Sequence, residues 1–432
     1  MAEIQPFPGI LFDPARAGSL DRIVCPPYDV LSPADQESLY QRDPHNFVRI
    51  ILNRAEAGDD DQAPYRRAAE CLTDWLDSGI LREDDAPALY EYRQEFTNPG
   101  DGKRYSRSGI FCALKLEPYS AGVVLPHEET RTKAKEDRLR LMRATMSNPE
   151  PIFGLFEDPR EYVARVLKAS NSDEVSELSA SIDGDSHHIR RITDSEAAGA
   201  IQSFLRDARV WIADGHHRYE TALNYRSERR ESEGNPDGHQ PYDFILIVLT
   251  SFTDPGMVVL PTHRLVKNIS ESRMEQLRLQ LERYFDVAEV PIEALAERMA
   301  GDPEKGEHRF GVVLADSAWV IDLRDESVMD AAVEGHADVW KRLDVSILQS
   351  LVLDRSLGIP AEELATTPDI GYTRDWDEAI EKVTAGEYQA AFMLNNPSAE
   401  EVRRVASAGD KMPPKSTFFY PKLWSGLVMR RM

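Results

Sequence analysis

A mixed α/β architecture is the fold class the chain predicts, and three observations carry it. Short apolar runs of strand character recur along the chain, among them Phe244–Leu249 and Val258–Leu260. Between them lie stretches whose apolar residues recur at helical spacing, such as Tyr65, Ala68, Ala69, Leu72, Trp75 and Leu76. Turn signals built from Gly, Pro, Asn and Asp separate the two kinds of segment. Strands alternating with helices, with some hairpins, give layered α/β packing rather than a bundle or a sandwich.

The elements follow in order. Ile23 to Val30 reads as a strand broken by a diproline turn, and Ser32-Pro33 offers an N-cap and a first-turn proline for a helix to about Tyr40. The Tyr65–Leu76 stripe is a second helix, closed near Gly79. Leu89–Phe96 and Gly109–Leu116 flank Asn98-Pro99-Gly100-Asp101-Gly102, a hairpin signal. Leu139, Met142, Ala144 and Met146 suggest a helix that ends before Asn148-Pro149. Then come a strand at Ile152–Phe156, a helix at Glu161–Lys168, a strand at His188–Ile192 and a helix at Ser195–Leu205. His187-His188 sits in a Gly-Asp-rich loop and reads as surface. Met274–Tyr284 is helical, Phe310–Leu314 and Ala318–Leu323 are paired strands, Ala337–Leu353 is a long amphipathic helix and Tyr388–Leu394 is a buried strand.

With 432 residues the chain exceeds one simple core. Three consecutive regions are expected, 1–150, 151–300 and 301–432, with no internal repeat. No apolar run approaches the roughly 20 residues of a membrane span, and Met1–Pro14 lacks a basic-then-apolar signal pattern, so a cytoplasmic protein without membrane partners is expected. A formal charge of −24 opposes the positive field that nucleic acid or an anionic membrane selects. Cys25, Cys71 and Cys112 are odd in number and widely separated, which disfavours both disulfides and a thiolate zinc site. Oligomeric state is left open.

Chemistry concentrates in Val210-Trp211-Ile212-Ala213-Asp214-Gly215-His216-His217-Arg218. An apolar strand, an Asp-Gly turn and a helix start place backbone N–H groups and the positive end of the helix dipole where an anion can sit. Gly215 allows close approach, and His216, His217 and Arg218 are further partners for phosphate. A second candidate is His127-Glu128, a base next to a cation-bearing run that includes Lys133 and Arg138. It is not a zincin, because Arg131 stands where the second histidine would be needed. Its plain alternative is a solvated charge run. The aromatic- and proline-rich stretch Lys411–Lys422 reads as docked, and Lys411, Lys415, Ser416 and Lys422 could close over a phosphate; a solvent-facing tail is the rival reading. Pro261-Thr262-His263-Arg264 adds Arg264 at a strand end. Tyr28, Asp29, Asn46 and Arg49 are polar residues beside turns with a weaker claim. No P-loop, no G-x-G-x-x-G after a strand and no nucleophile elbow is present. Adjacent histidines point apart, so His216 and His217 do not chelate one metal; Mg²⁺ oriented by Asp214 and substrate phosphates is the metal expected.

These motifs resemble the bacterial and archaeal family known as domain of unknown function 1015. The resemblance rests on Cys25-Pro26-Pro27-Tyr28-Asp29-Val30, Pro126-His127-Glu128-Glu129-Thr130, Asp137-Arg138-Leu139, Ala213–Leu223, Pro261–Arg264 and Met412–Thr417, and covers nearly the whole chain. That name carries no activity. Asp214–Arg218 is also similar to the phosphate-binding turn of the ParB and sulfiredoxin-like superfamily, and most of all to its free-serine kinases. The resemblance implies such a core elaborated by flanking α/β regions. His216 stands where sulfiredoxins place their catalytic cysteine, which removes sulfinic-acid repair, and the net charge speaks against a ParB-like DNA clamp. What remains is a phosphotransferase or nucleotide-hydrolysing enzyme using ATP, ADP or CTP and acting on a small metabolite such as serine or phosphoserine. Glu128 is the expected general base, His127 the second choice, and His217 a further catalytic group. The rival class is a non-catalytic sensor of a nucleotide or phosphometabolite, which the same turn would serve.

Overall fold

The computed structural model describes residues 2–130, 132–170, 177–182, 184–236, 238–301, 303–361, 363–364 and 367–432. Arg131, used above to set aside a zincin, lies outside them. The chain forms two compact units. The first comprises Met1–Pro126, Thr130–Met257 and Pro421–Met432; the second comprises His127–Glu129 and Val258–Tyr420. The expected boundaries at 150 and 301 fall elsewhere because one sheet takes strands from both sides of residue 150.

That sheet organises the first unit, and nine strands of it lie among the described residues. Its order is Val124–Leu125, Val210–Asp214, Ile152–Phe156, Phe244–Ser251, Arg104–Lys115, Leu89–Thr97, Asp185–Ile192 and Glu177–Ile182, with Ile4–Gln5 also paired to Arg104–Lys115. Pairing is antiparallel except between Val210–Asp214 and Val124–Leu125 and between Phe244–Ser251 and Ile152–Phe156. The central strands are apolar at nearly every position because both faces are covered. Ile110, Cys112, Leu114, Ile245, Ile247 and Leu249 share the main core with Ile201, Leu205, Tyr219 and Ala222 from two helices. The expected hairpin forms: Asn98 N–H and Gly102 N–H close the turn on Lys103 O and Asn98 O. A smaller sheet in the same unit pairs Gly9–Phe12 with Leu81–Glu83 and with Met429–Arg431, which also pairs Ser147–Asn148.

Helix Pro33–Arg42 starts as its sequence requires, with a reciprocal capping box between Ser32 and Asp35. Just before it, Ile23–Val30 departs from the expected broken strand: Leu20–Ile23 is helical, Cys25 makes an isolated bridge to Ser425, and Tyr28–Val30 is a 3₁₀ turn. Prolines at 26 and 27 lack the N–H a ladder needs. His187 is likewise not at the surface. It is fully buried in the strand Asp185–Ile192, its Nδ1 2.7 Å from the Tyr92 hydroxyl. The hairpin turn lies just ahead of it, so the side chains alternate between faces from Asp185 onward.

The second unit holds a six-stranded antiparallel sheet, in order Phe285–Val290, Ala318–Leu323, Arg309–Val313, Ala390–Met393, His263–Val266 and Ile370–Thr373. Leu265, Leu295, Val313, Ala379, Val383, Ala391 and Met393 form a core beneath it. The aromatic stretch is docked as expected, Phe418–Tyr420 pairing with Val258–Leu260. The long helix expected over Ala337–Leu353 is instead broken. Asp338–Lys341 and Asp344–Ile347 are short α-helices, and Leu348–Ser356 is a π-helix in which the Ser356 hydroxyl donates to Leu351 O, five residues back. Leu348, Leu351, Val352 and Leu353 are all buried, so the segment has no single apolar stripe for a regular helix to present.

Candidate phosphate-binding site

The strand Val210–Asp214 is buried along Val210 to Ala213 and reaches the surface at Asp214. Its pairing with Ile152–Phe156 slips between Ile212 and Asp214, a bulge that re-aims the strand end. Gly215 follows at φ +89°, in the left-handed region, and the helix His216–Ser232 begins at the next residue. A Cβ at Gly215 would lie 3.0 Å from Arg218 Nε and Nη2, so both backbone angle and space call for glycine. As the cap, Gly215 has no side-chain acceptor for the first-turn N–H groups. His216 is buried and His217 half-buried.

Asp214 lies between two cations. Lys422 Nζ donates to its Oδ1 at 2.7 Å and Arg218 Nη2 to its Oδ2 at 3.2 Å. Burial alone would raise the carboxyl, but Lys422 and Arg218 outweigh it and lower it from 3.8 to about 2. Arg218 Nη1 donates to Pro151 O. Burial opposes the Arg218 charge, yet Glu150, Asp214, Asp29 and Tyr28 hold its pKa above the ordinary arginine value.

Glu150 was not singled out in the sequence, and it joins the motifs of this unit. Its Oε1 accepts from Tyr28 N–H at 3.2 Å and from the Ser425 hydroxyl at 3.1 Å; its Oε2 accepts from Arg138 Nη1 at 3.2 Å. Arg138 lies 3.9 Å above the Tyr28 ring and also donates to Ile51 O and, through Nε and Nη2, to Asp137 Oδ2. Arg138 is thus held on every side as a brace, rather than presented as a cation for phosphate. Lys133 is exposed on the helix Thr132–Thr145. Asn46 is fully buried and ties Arg22 O to Val48 N–H, and Arg49 packs over the Tyr40 ring, so both serve the fold.

Lys422 has its own support. Arg107, fully buried, donates to Pro421 O at 2.5 Å and to Gln94 Oε1, and lies over the Phe153 ring. Gln94 Nε2 donates to Lys422 O at 3.1 Å. Two consecutive carbonyls are thereby fixed, which aims the Lys422 side chain at Asp214. Burial lowers Arg107 to about 10. No signal in the sequence marks Arg107 or Gln94, because each reads as one polar residue in an alternating strand.

The remaining candidates belong to the second unit. His127 is fully buried, its Nε2 3.0 Å from the Thr417 hydroxyl, and its carbonyl accepts from Met412 N–H. Glu128 is half-buried, with Oε1 4.0 Å from His127 Nε2. Arg264 is buried and donates to Thr262 O and, at 3.4 Å, to Pro414 O; burial lowers it to about 10. Ser416 is buried and donates to Pro413 O, while Lys415 is exposed at φ +59° and Lys411 pairs with Glu129 at 2.8 Å. Within this unit the segments at 127–129, 261–264 and 411–417 therefore come together.

Both Asp214 oxygens are engaged by cations, and no cluster of three His, Cys, Asp or Glu suited to a metal occurs among the described residues. Asp214 as arranged does not fit a Mg²⁺ ion.

The family model described as "Protein of unknown function (DUF1015)" matches residues 4–346. The chain belongs to this family. A search of curated proteins found no match for this DUF1015 chain. Among solved structures it is similar to a free serine kinase in complex with AMP, at 16% identity and TM-score 0.34, over 72% of this chain and 86% of that one. It is similar too to a conserved hypothetical protein from Pyrococcus furiosus, at 17% identity and TM-score 0.33, over 73% and 93%. A third is SbnI from Staphylococcus aureus with a C-terminal truncation, at 11% identity and TM-score 0.34, over 73% and 85%.

Proposed function

We propose that this DUF1015 protein is a nucleotide-dependent phosphotransferase or phosphohydrolase acting on a small hydroxyl-bearing metabolite, with serine or phosphoserine as the first candidate. The observation that carries the reading is the turn at Gly215, a glycine-capped helix start beside a carboxylate held between Lys422 and Arg218. The first-turn N–H groups and the helix dipole receive the phosphate, and His216 and His217 are its side-chain neighbours in sequence. Asp214 acts as an orienter. It keeps Lys422 and Arg218 ionised and in place, and Lys422 exchanges its carboxylate for a phosphate oxygen when ligand arrives. The motif Asp214–Arg218 supports a ParB/sulfiredoxin-like core around this turn.

Glu128 is assigned as general base on residue type and motif, taking the proton of the attacking hydroxyl or water. His127, packed against Thr417 and Phe419, is assigned to holding that segment. Lys133, Lys415, Ser416 and Arg264 remain candidates for phosphate contact.

A thermal-shift screen with ATP, ADP, CTP and phosphoserine, with and without Mg²⁺, tests binding, since a ligand of the folded state raises the melting temperature by mass action. Nucleotide turnover with serine present tests chemistry. Glu128→Gln is expected to lose about 10²- to 10⁴-fold in turnover while keeping the ligand-induced shift. Binding without turnover in the parent protein would instead establish a sensor, and no shift with any ligand would defeat both readings.

A further inference from the structure

The first unit contains a cavity of about 260 Å³ that shares no residue with the Gly215 turn. Two cross-strand pairs build it: Leu11 opposite Arg82, and Leu178 opposite Ile189. Pro14 extends the apolar wall, and Arg191, two residues beyond Ile189 on the same strand face, adds a second guanidinium. Arg82 is exposed and has no ion-pair partner among the described residues. Arg191 donates from Nη2 to Ala86 O at 2.7 Å. Its Nε lies 3.3 Å from Asp84 Oδ2 but is buried without a hydrogen-bond acceptor. That same carboxylate oxygen already accepts from the Tyr90 hydroxyl at 2.6 Å. Two arginines with unused donor capacity thus border a cleft of mixed lining, in which Leu11, Pro14, Leu178 and Ile189 supply the apolar part and the carboxylates of Asp13 and Asp84 also take part.

We propose that this cavity binds a small metabolite with an anionic head, a carboxylate or a phosphate monoester, on a compact apolar body. The head meets Arg82 and Arg191, whose planar forks suit paired oxygens, and the body lies against Leu11, Leu178 and Ile189. The volume, just under the roughly 300 Å³ where drug-sized sites begin, selects a ligand of few heavy atoms. The chain carries −24 overall, so an anion is held here by the two local guanidiniums and not by the field of the whole protein.

Isothermal titration of the full chain with isocaproate, isohexyl phosphate and isohexylamine tests this. One anion or both should bind with one-to-one stoichiometry, the better of them identifying the head group, and the amine should not bind. Arg82→Glu, at an exposed position, is expected to weaken binding by at least about 10-fold, the loss of a charge-assisted contact. Leu178→Trp should abolish it by filling the cleft. Gly215→Ala should leave it unchanged, which separates this site from the phosphate-binding reading. Absence of anion binding at millimolar concentration, equal binding of the amine, or affinity unaltered in both variants would overturn the proposal.

Discussion

Asp214 is ionised far below the ordinary carboxylate range because two cations face its two oxygens. A carboxylate with a depressed native pKa stabilises the fold above its unfolded value, and that contribution is lost as pH falls through the native one. The window here runs from about pH 3.8 down to about pH 2. Lys422→Met is therefore expected to destabilise the protein at neutral pH and to flatten its loss of stability across that window, read by chemical denaturation at several pH values. The same variant should weaken phosphate-ligand binding about 10-fold, the scale of one charge-assisted hydrogen bond. Gly215→Ala forces a side chain into a left-handed backbone and against Arg218, at a cost of about 1–3 kcal/mol; denaturation should show that loss together with loss of the ligand-induced melting shift. The turn at Gly215 was legible in the sequence because His216-His217-Arg218 follows Asp-Gly between a strand pattern and a helix pattern; Asp-Gly alone reads as an ordinary strand-to-helix turn. Glu150 was not legible: in Asn-Pro-Glu-Pro it reads as a turn residue, and only folding shows that Tyr28, Arg138 and Ser425 converge on it.

Among the elements, those closed by local hydrogen bonds formed where expected, whereas period alone misled at Ala337–Leu353, which is broken into short helices and a π-helix. Asn98–Gly102 fixes its hairpin locally, and Ser32 with Asp35 fixes a helix start, since each set of hydrogen bonds closes within a few residues. Ser32→Ala should cost about 1 kcal/mol, measured by denaturant midpoint. The bulge before Asp214 and the π-helix Leu348–Ser356 depend on what packs against them, which no local pattern encodes. In the second unit His308, fully buried, lies 2.7 Å from Asp344 and 3.0 Å from Glu326. Burial disfavours its charge, but the two carboxylates prevail and raise its pKa above 6.5. A raised histidine contributes its full stabilisation below the unfolded value and loses it as pH rises through the native one. The melting-temperature gap between parent and His308→Gln should accordingly be widest below pH 6.5 and shrink as pH rises above it; a gap that grows with pH would refute the pairing.

On the scale of the whole molecule, the second unit is an insertion: residues 258–420 interrupt the first unit, which resumes at Pro421. Residues 421–432 supply Lys422, the Ser425 contact to Glu150, and the strand Met429–Arg431 that joins Gly9–Phe12 to Ser147–Asn148. Arg430, buried, donates to Pro241 O, Phe244 O and Asn148 Oδ1. Deleting 421–432 should thus destabilise the first unit by well over the roughly 1 kcal/mol of an ordinary point substitution, visible in calorimetry as loss of one unfolding transition. The return of these residues also imposes an order on biosynthesis. A ribosome that has finished residue 257 has not yet made the strand that closes the smaller sheet, nor the lysine that faces Asp214. All residues of the second unit are made while its host still lacks both. A nascent chain therefore cannot acquire the Asp214–Lys422 pair beside the Gly215 turn before the second unit has been made.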